Sequence, residues 1–368
     1  MKITRISVYQ ARLPYVGGTY VWGRNQPLTV ALSTVVTIET DAGLTGCGES
    51  CPIGSTYLAA YGEGIPAAVS LMAPALIGED PRELHRVERL MDQALKGHPY
   101  AKSAIDAACW EILGKAVGLP VCVLLGGRLT DGAPMYRVVP QKGLEETAAE
   151  LNAYRQAGYR QFQIKVGGDW VRDIDNILQA ASLLQPGENA YADANTGWTV
   201  NEAVKVVHAV RDTGIMIEQP CMTYEECLHV RARTDLPMKL DECVTDMRAA
   251  QRIVTDRAAE VVCLKISNLG GLTKARRVRD YLMENGLSVV SEDTWGGEIT
   301  TAAVSHFAAS TPSELLYNTT DLHNYVVGTT GLPGPHTENG NLYASTEPGL
   351  GVELDYETLG EPVVVFGG

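Results

Sequence analysis

Apolar and polar residues alternate along residues 1–50 with the period of two that marks β-strands. Segments 3–9 and 29–39 read as strands of a small antiparallel sheet. Asp41-Ala42-Gly43 forms the turn between the second strand and a third. Over 65–118 the period lengthens to that of helices, with Ala67, Ala68, Leu71 and Met72, then Ala104, Ile105, Ala108, Ile112 and Leu113. These residues are expected to form a separate α+β unit.

The pattern changes near residue 130. Eight short apolar runs follow, at 135–139, 163–166, 190–193, 215–218, 238–241, 261–265, 288–291 and 315–318. From Lys165 to Ser291 successive run ends are 28, 25, 23, 24 and 26 residues apart. Amphipathic helical segments lie between them, at 144–156, 171–184, 200–212, 223–233, 246–257, 272–285 and 298–309. Strand–helix alternation at this period signals parallel βαβ units, and eight such strands close into a barrel whose active site lies at the C-terminal strand ends. An open doubly wound sheet is the alternative, but no G-x-G-x-x-G follows a first strand.

On that reading the strand ends carry Lys165, Asp193, Glu218, Asp241, Lys265, then Glu292 and Asp293, then Asp321. Three successive strands end in a carboxylate. Hard oxygen ligands converging from neighbouring strands suit Mg²⁺, one ion per subunit. A single acid there would more simply cap the following helix; three in a row, flanked by lysines, favour a metal site. Strands two and six face each other across a closed barrel. Lys165 and Lys265 would then reach a substrate from opposite faces as paired acid and base. A lone lysine could instead be a counter-ion, or in strand six a Schiff-base nucleophile. The cation and the neighbouring lysine are expected to lower each ammonium pKa.

Composition adds mainly exclusions. The 368 residues carry a formal net charge of −14 and no basic run with interleaved aromatics, so nucleic acid is not an expected partner. No stretch approaches a membrane span, and the first residues lack the apolar core of a signal peptide. A soluble cytoplasmic protein is expected, with a small-molecule substrate and further copies of itself, as a homo-oligomer, for partners. The eight cysteines contain no C-x-x-C pair and read as buried free thiols, with zinc or disulfides as the alternative.

The order Lys, Asp, Glu, Asp, Lys over strands two to six resembles the enolase superfamily, muconate lactonizing enzyme subgroup. Asp106-Ala107-Ala108-Cys109-Trp110-Glu111 resembles its capping-domain helix, and Leu124-Leu125-Gly126-Gly127 its entry to the barrel. Asp193-Ala194-Asn195, Ile217-Glu218-Gln219-Pro220 and Asp241-Glu242 resemble its three metal-ligand motifs. Lys265-Ile266-Ser267, followed by Gly270-Gly271, resembles its strand-six motif. The resemblance implies an α/β fold: a modified (β/α)₇β TIM barrel over 129–335, an α+β cap over 1–128, and a tail over 336–368 that returns to the cap. One departure stands out. The subgroup commonly has K-x-K on strand two, and here the first position is Gln163, so Lys165 is expected to act more as an acid than as a free base.

The chain is further similar to the branch of the superfamily that acts on 3-hydroxyprolines, near the epimerases of hydroxyproline betaines. This implies α-proton removal beside a carboxylate, then β-elimination of water, with 2-epimerisation competing. Epimerisation of betaines or dipeptides is the alternative, with muconate-type cycloisomerisation behind it. Expected substrate contacts or supporting residues are Gln163, Asn195, Asp293, Trp295, Asp321, Tyr20 and Trp22. Asp321 would meet a ring ammonium or else cap a helix. Trp295 and a 15–25 loop with Tyr20, Trp22 and Arg24 would close over the ring, or else pack between the domains.

Overall fold

The computed structural model describes residues 1–22, 26–139 and 143–368; Arg24, expected in the closing loop, lies outside them. Two long strands, Ile3–Pro14 and Val30–Thr40, pair antiparallel, Thr45–Ser50 adds to the second, and Val364–Gly367 to the first. Alternation gives this sheet two apolar faces. Ile6, Val8, Val36 and Ile38 pack against the helices Ile65–Leu76, Leu84–Ala94 and Pro99–Val117. Tyr9, Ala11, Leu13 and Val35 join the large cluster that fills the rest of the molecule. One sheet therefore ties the cap to the barrel through buried apolar area, which is non-directional and large in total.

Eight parallel strands follow: Tyr136–Val139, Gln161–Lys165, Asn189–Asp193, Met216–Glu218, Met238–Leu240, Val261–Lys265, Ser288–Glu292 and Leu316–Thr319. They are hydrogen-bonded in chain order, and a parallel bridge between Met135 and Thr319 joins the last to the first. Each of the seven connections carries a helix, from Leu144–Gln156 to Glu298–Ala309, and the one after the sixth strand also holds the short helix Ile266–Leu269, giving the (β/α)₇β pattern. Period-two alternation sends Gln163, Tyr191, Met216, Lys239, Cys263 and Val290 into the interior, one layer below Lys165, Asp193, Glu218, Asp241, Lys265 and Glu292.

The tail does two things. The hairpin His336–Glu338 and Asn341–Tyr343 pairs with Ala133–Pro134 ahead of the first barrel strand, and only then does the chain reach the cap sheet at Val364. His306 holds the tail to the barrel. Its Nδ1 accepts from the Cys122 N–H at 3.1 Å and its Nε2–H donates to the Leu350 carbonyl at 3.1 Å; burial, outweighing the Leu350 bond, pushes its pKa down to about 4. All eight cysteines are free thiols. No helix among the described residues is long and apolar enough to cross a membrane.

Candidate active site

The barrel helices take their caps from residues other than the strand-end acids. Asp169, Thr199, Thr223 and Asp246 accept the first-turn N–H groups after strands two to five. That leaves Asp193, Glu218 and Asp241 free to project inward, each less than 4% exposed. The loops that carry them are held tightly. Gly167, two residues past Lys165, has φ +92°, and a Cβ there would lie 2.0 Å from the Ala194 carbonyl oxygen. The loops after strands two and three thus touch backbone to backbone, and Lys165 stands beside Asp193.

The Lys165 ammonium donates to Asp193 Oδ2 at 2.6 Å and to Asn195 Oδ1 at 3.0 Å. Four strands further round the ring, the Lys265 ammonium donates to Asp241 Oδ2 and to the Tyr57 hydroxyl, the latter at 2.7 Å. Burial alone would lower both ammonium pKa values, but Asp193 beside one and Asp241 beside the other outweigh it and raise both. Lowered values were expected from the sequence; the protein's own carboxylates act in the opposite sense.

The acids are crowded. Burial, then the charge of Asp193, pushes Glu218 up to about 8. Burial and Asp241 hold Glu242 well above the usual carboxylate range. Asp241 goes down, because Lys265 more than offsets its burial. Asp241 Oδ1 has no hydrogen-bond partner among the described residues. Among the described residues, Glu218, Asp241 and Cys263 bring three donor atoms within 4.8 Å of one another. Asp193 stands slightly aside, its Oδ2 taken by Lys165 and, at 3.0 Å, by the Gln163 amide, which also donates to Glu218 Oε2 at 3.2 Å. A surplus of buried carboxylate charge and an orphaned oxygen fit a hard divalent cation. Burial keeps the Cys263 thiol protonated, which makes it a poor partner for such an ion.

Both lysines line one cavity of about 50 Å³, enough for a few water-sized groups. Its walls include Tyr20, Trp22, Tyr57, Trp295 and Tyr325, with Glu292 and Thr320. Trp295 lies 5.2 Å from Tyr20 and 5.8 Å from Tyr325 between ring centroids, and Trp22 meets Tyr57 edge-on at 5.0 Å.

The other expected residues fall differently. Asn195 ties Lys165 to Glu242, to which its amide donates at 3.0 Å. Asp293 accepts from the Ser267 hydroxyl and N–H and from the Thr294 N–H, bracing the loop behind Lys265, and burial lifts it to about 6. Asp321 does not line the cavity. Arg137 from the first strand holds both its oxygens, at 2.5 and 2.8 Å, and Asn324 adds a third contact, so it has no charge to spare for a ring ammonium. Besides Asp241 Oδ1, the carboxylate oxygen of a cavity-wall residue without a hydrogen-bond partner among the described residues is Glu292 Oε2; the other oxygen of Glu292 lies 3.6 Å from the Lys265 ammonium. Tyr57, Glu292 and Lys239 went unassigned in the sequence. Glu292 had a signal there, a position at a strand end; Tyr57 had none.

Comparison with known proteins agrees with this geometry. Residues 146–359 match the enolase C-terminal domain-like family, and residues 21–126 match the N-terminal domain of mandelate racemase/muconate lactonizing enzymes. The chain is 46% identical over 366 residues, all of both chains, to a cis-3-hydroxy-L-proline dehydratase of Roseibium aggregatum. A mandelate racemase/muconate lactonizing enzyme from Roseovarius nubinhibens ISM superposes with a TM-score of 0.97 at 58% identity, over 100% of this chain and 98% of that one. A second structure from that organism, complexed with magnesium, superposes at 0.94 with 35% identity over all of both chains. The chain belongs to the mandelate racemase/muconate lactonizing enzyme family of the enolase superfamily.

Proposed function

We propose that this chain dehydrates cis-3-hydroxy-L-proline to Δ¹-pyrroline-2-carboxylate, with 2-epimerisation as a competing outcome, and that Asp193, Glu218 and Asp241 hold one Mg²⁺. The observation that carries the reading is the pair of ammonium groups, four strands apart in an eight-strand ring, facing one small cavity with the carboxylate cluster between them. The relative of 46% identity and the magnesium-bound neighbour support it. Bound among the three carboxylates, the ion would draw in the substrate carboxylate, stabilise the negative charge it gains as the α-proton leaves, and offset the acids that hold the lysines protonated.

The chain's own residues do the rest. One lysine, as the free amine, takes the α-hydrogen from one face of the ring. The other, as the ammonium, gives a proton on the opposite face. Given to carbon two, that proton yields the epimer. Given to a departing hydroxyl on carbon three, it yields water and an enamine, which tautomerises to the pyrroline. In a cis-3-hydroxyproline the hydroxyl shares a face with the carboxylate and is anti to the α-hydrogen, which is the geometry that two opposed lysines serve. Tyr20, Trp295 and Tyr325 give the ring an apolar, water-poor wall. Glu292, whose Oε2 has no hydrogen-bond partner among the described residues, meets the ring ammonium in place of Asp321.

The experiment compares initial rates of pyrroline-2-carboxylate formation from cis- and trans-3-hydroxy-L-proline at saturating Mg²⁺. The trans isomer puts hydroxyl and α-hydrogen on one face, so it should dehydrate far more slowly while still exchanging its α-hydrogen. Equal rates, or a preference for the trans isomer, would mean that opposed-lysine elimination is not how this site works.

A further inference from the structure

The interior layer beneath the site is built as a barrel core should be, from Tyr191, Met216, Cys263 and Val290, with two polar exceptions. Gln163 is one, already seen bridging two carboxylates. The other is Lys239 on strand five, two residues before Asp241 and 0% exposed. A buried ammonium is costly unless it is well paired. Lys239 stands 2.7 Å from Glu218 Oε1, with the rings of Tyr191 and Tyr136 at 4.2 and 5.8 Å from its nitrogen.

Glu218 is the middle one of the three strand-end acids, and the two exceptions flank it. Gln163 donates to Oε2 from strand two, and Lys239 reaches Oε1 from strand five. Both approach from the layer below. The last torsion of a glutamate is broad and roughly two-fold, so an unheld carboxylate would rotate. Contacts on both oxygens fix its plane, beside Asp193 and Asp241, which line the cavity. A substrate in the cavity cannot touch Lys239, which is absent from its walls. Any influence of Lys239 on the chemistry therefore passes through Glu218.

Resting on the metal reading above, we propose that Lys239 is a positioning residue for the divalent ion: the charge buried under Glu218 that holds this ligand in its binding orientation and, together with neutral Gln163, braces it from below. Lys239 acts here by charge and proximity, as an ion pair without the alignment of a hydrogen bond; the loss of a group that orients a carboxylate ligand typically lowers metal affinity by about 10- to 100-fold. A lysine that merely filled the core would leave metal binding alone when exchanged for methionine, which has nearly its shape. A lysine that competed with the ion for Glu218 would, once removed, leave binding tighter.

The test is calorimetric titration of Mg²⁺ into the full chain, stripped with EDTA and without substrate, for the parent, Asp241→Asn and Lys239→Met. The Lys239→Met variant should keep one ion per chain but bind it about 10- to 100-fold more weakly. Adding Gln163→Lys to that variant returns a cation to the other oxygen of Glu218 and should recover most of the loss. Lys239→Met binding as tightly as the parent, or more tightly, overturns the inference. Should that variant fail to fold, Lys239→Gln, which keeps a donor and removes the charge, is judged by the same two outcomes. A parent that takes up no Mg²⁺ sinks the metal reading, and this inference with it. A parent that binds, an Asp241→Asn variant that does not, and an unchanged Lys239→Met sink this inference alone.

Discussion

Replacing Tyr57 by phenylalanine removes one oxygen from one side of the site. The hydroxyl accepts from the Lys265 ammonium at 2.7 Å and donates to Asp241 Oδ2 at 3.2 Å. Phenylalanine keeps the ring, and with it the edge contact to Trp22 and the ring beneath the ammonium at 5.2 Å, so the cap loop should stay in place. A hydrogen bond to a charged group is worth about 1.5–3 kcal/mol, which is roughly 10- to 100-fold in rate if it is needed in the transition state. Lys165 has its own partners, Asp193 and Asn195, and makes no contact with Tyr57. The loss should therefore be one-sided. In D₂O, the two 2-epimers of one substrate present their α-hydrogens to opposite lysines. Early loss of the α-proton NMR signal should slow about 10- to 100-fold for one epimer and stay near the parent rate for the other. Equal slowing of both would place Tyr57 in closure of the cavity rather than in the service of Lys265. No slowing of either would mean that Asp241 alone holds that ammonium.

Other outcomes follow from the same geometry. Lys165→Ala and Lys265→Ala should each abolish epimerisation, since both faces are needed, and polarimetry showing either at the parent rate would refute the two-base scheme. Glu292→Gln should raise KM for the amino acid, whereas Asp321→Asn should leave KM alone and cost about 3–5 kcal/mol of stability by leaving Arg137 half-paired; the reverse pattern in kinetics and denaturant melts would return the ammonium to Asp321. His306 has its pKa depressed in the folded chain from an ordinary 6.5 to about 4, so its contribution is present above pH 6.5 and lost as pH falls through 4. At ~1.4 kcal/mol for each pH unit, that is roughly 3 kcal/mol. A His306→Gln variant whose melting temperature falls as steeply as the parent's over that window would contradict it.

Most of the fold was legible because each βα unit repeats a two-residue alternation, a polar strand end and an amphipathic helix. Helices expected at 144–156 and 298–309 are Leu144–Gln156 and Glu298–Ala309, and each expected barrel strand lies within two residues of its observed bounds. The strand ends were legible for a related reason. In a closed ring, position in the repeat is position in space, so Lys165 and Lys265 could be set on opposite faces without coordinates.

What was hidden depended on partners that the repeat does not encode. Tyr57 sits in a cap loop, 208 residues from the lysine it touches, and only the shared apolar sheet between cap and barrel brings them together. Asp321 and Glu292 look alike in the sequence, as acids at neighbouring strand ends. What separates them is Arg137, 184 residues away from Asp321, which takes both oxygens of one, while the other has only the Lys265 ammonium at 3.6 Å from one oxygen. Lys239 reads as a polar interruption in an ordinary strand, yet its position two residues before Asp241 turns it inward beneath Glu218. In each case the residue type and its period were readable, but its electrostatic state was not. That state is decided by which opposite charge lies within about 3 Å once water is excluded, since pairing at that range outweighs the cost of burial only where the geometry is good. Chemistry carried by matched strand ends can thus be inferred from spacing. Chemistry tuned by a second charge, as at Glu218, Lys265 and Asp321, has to be argued from contacts.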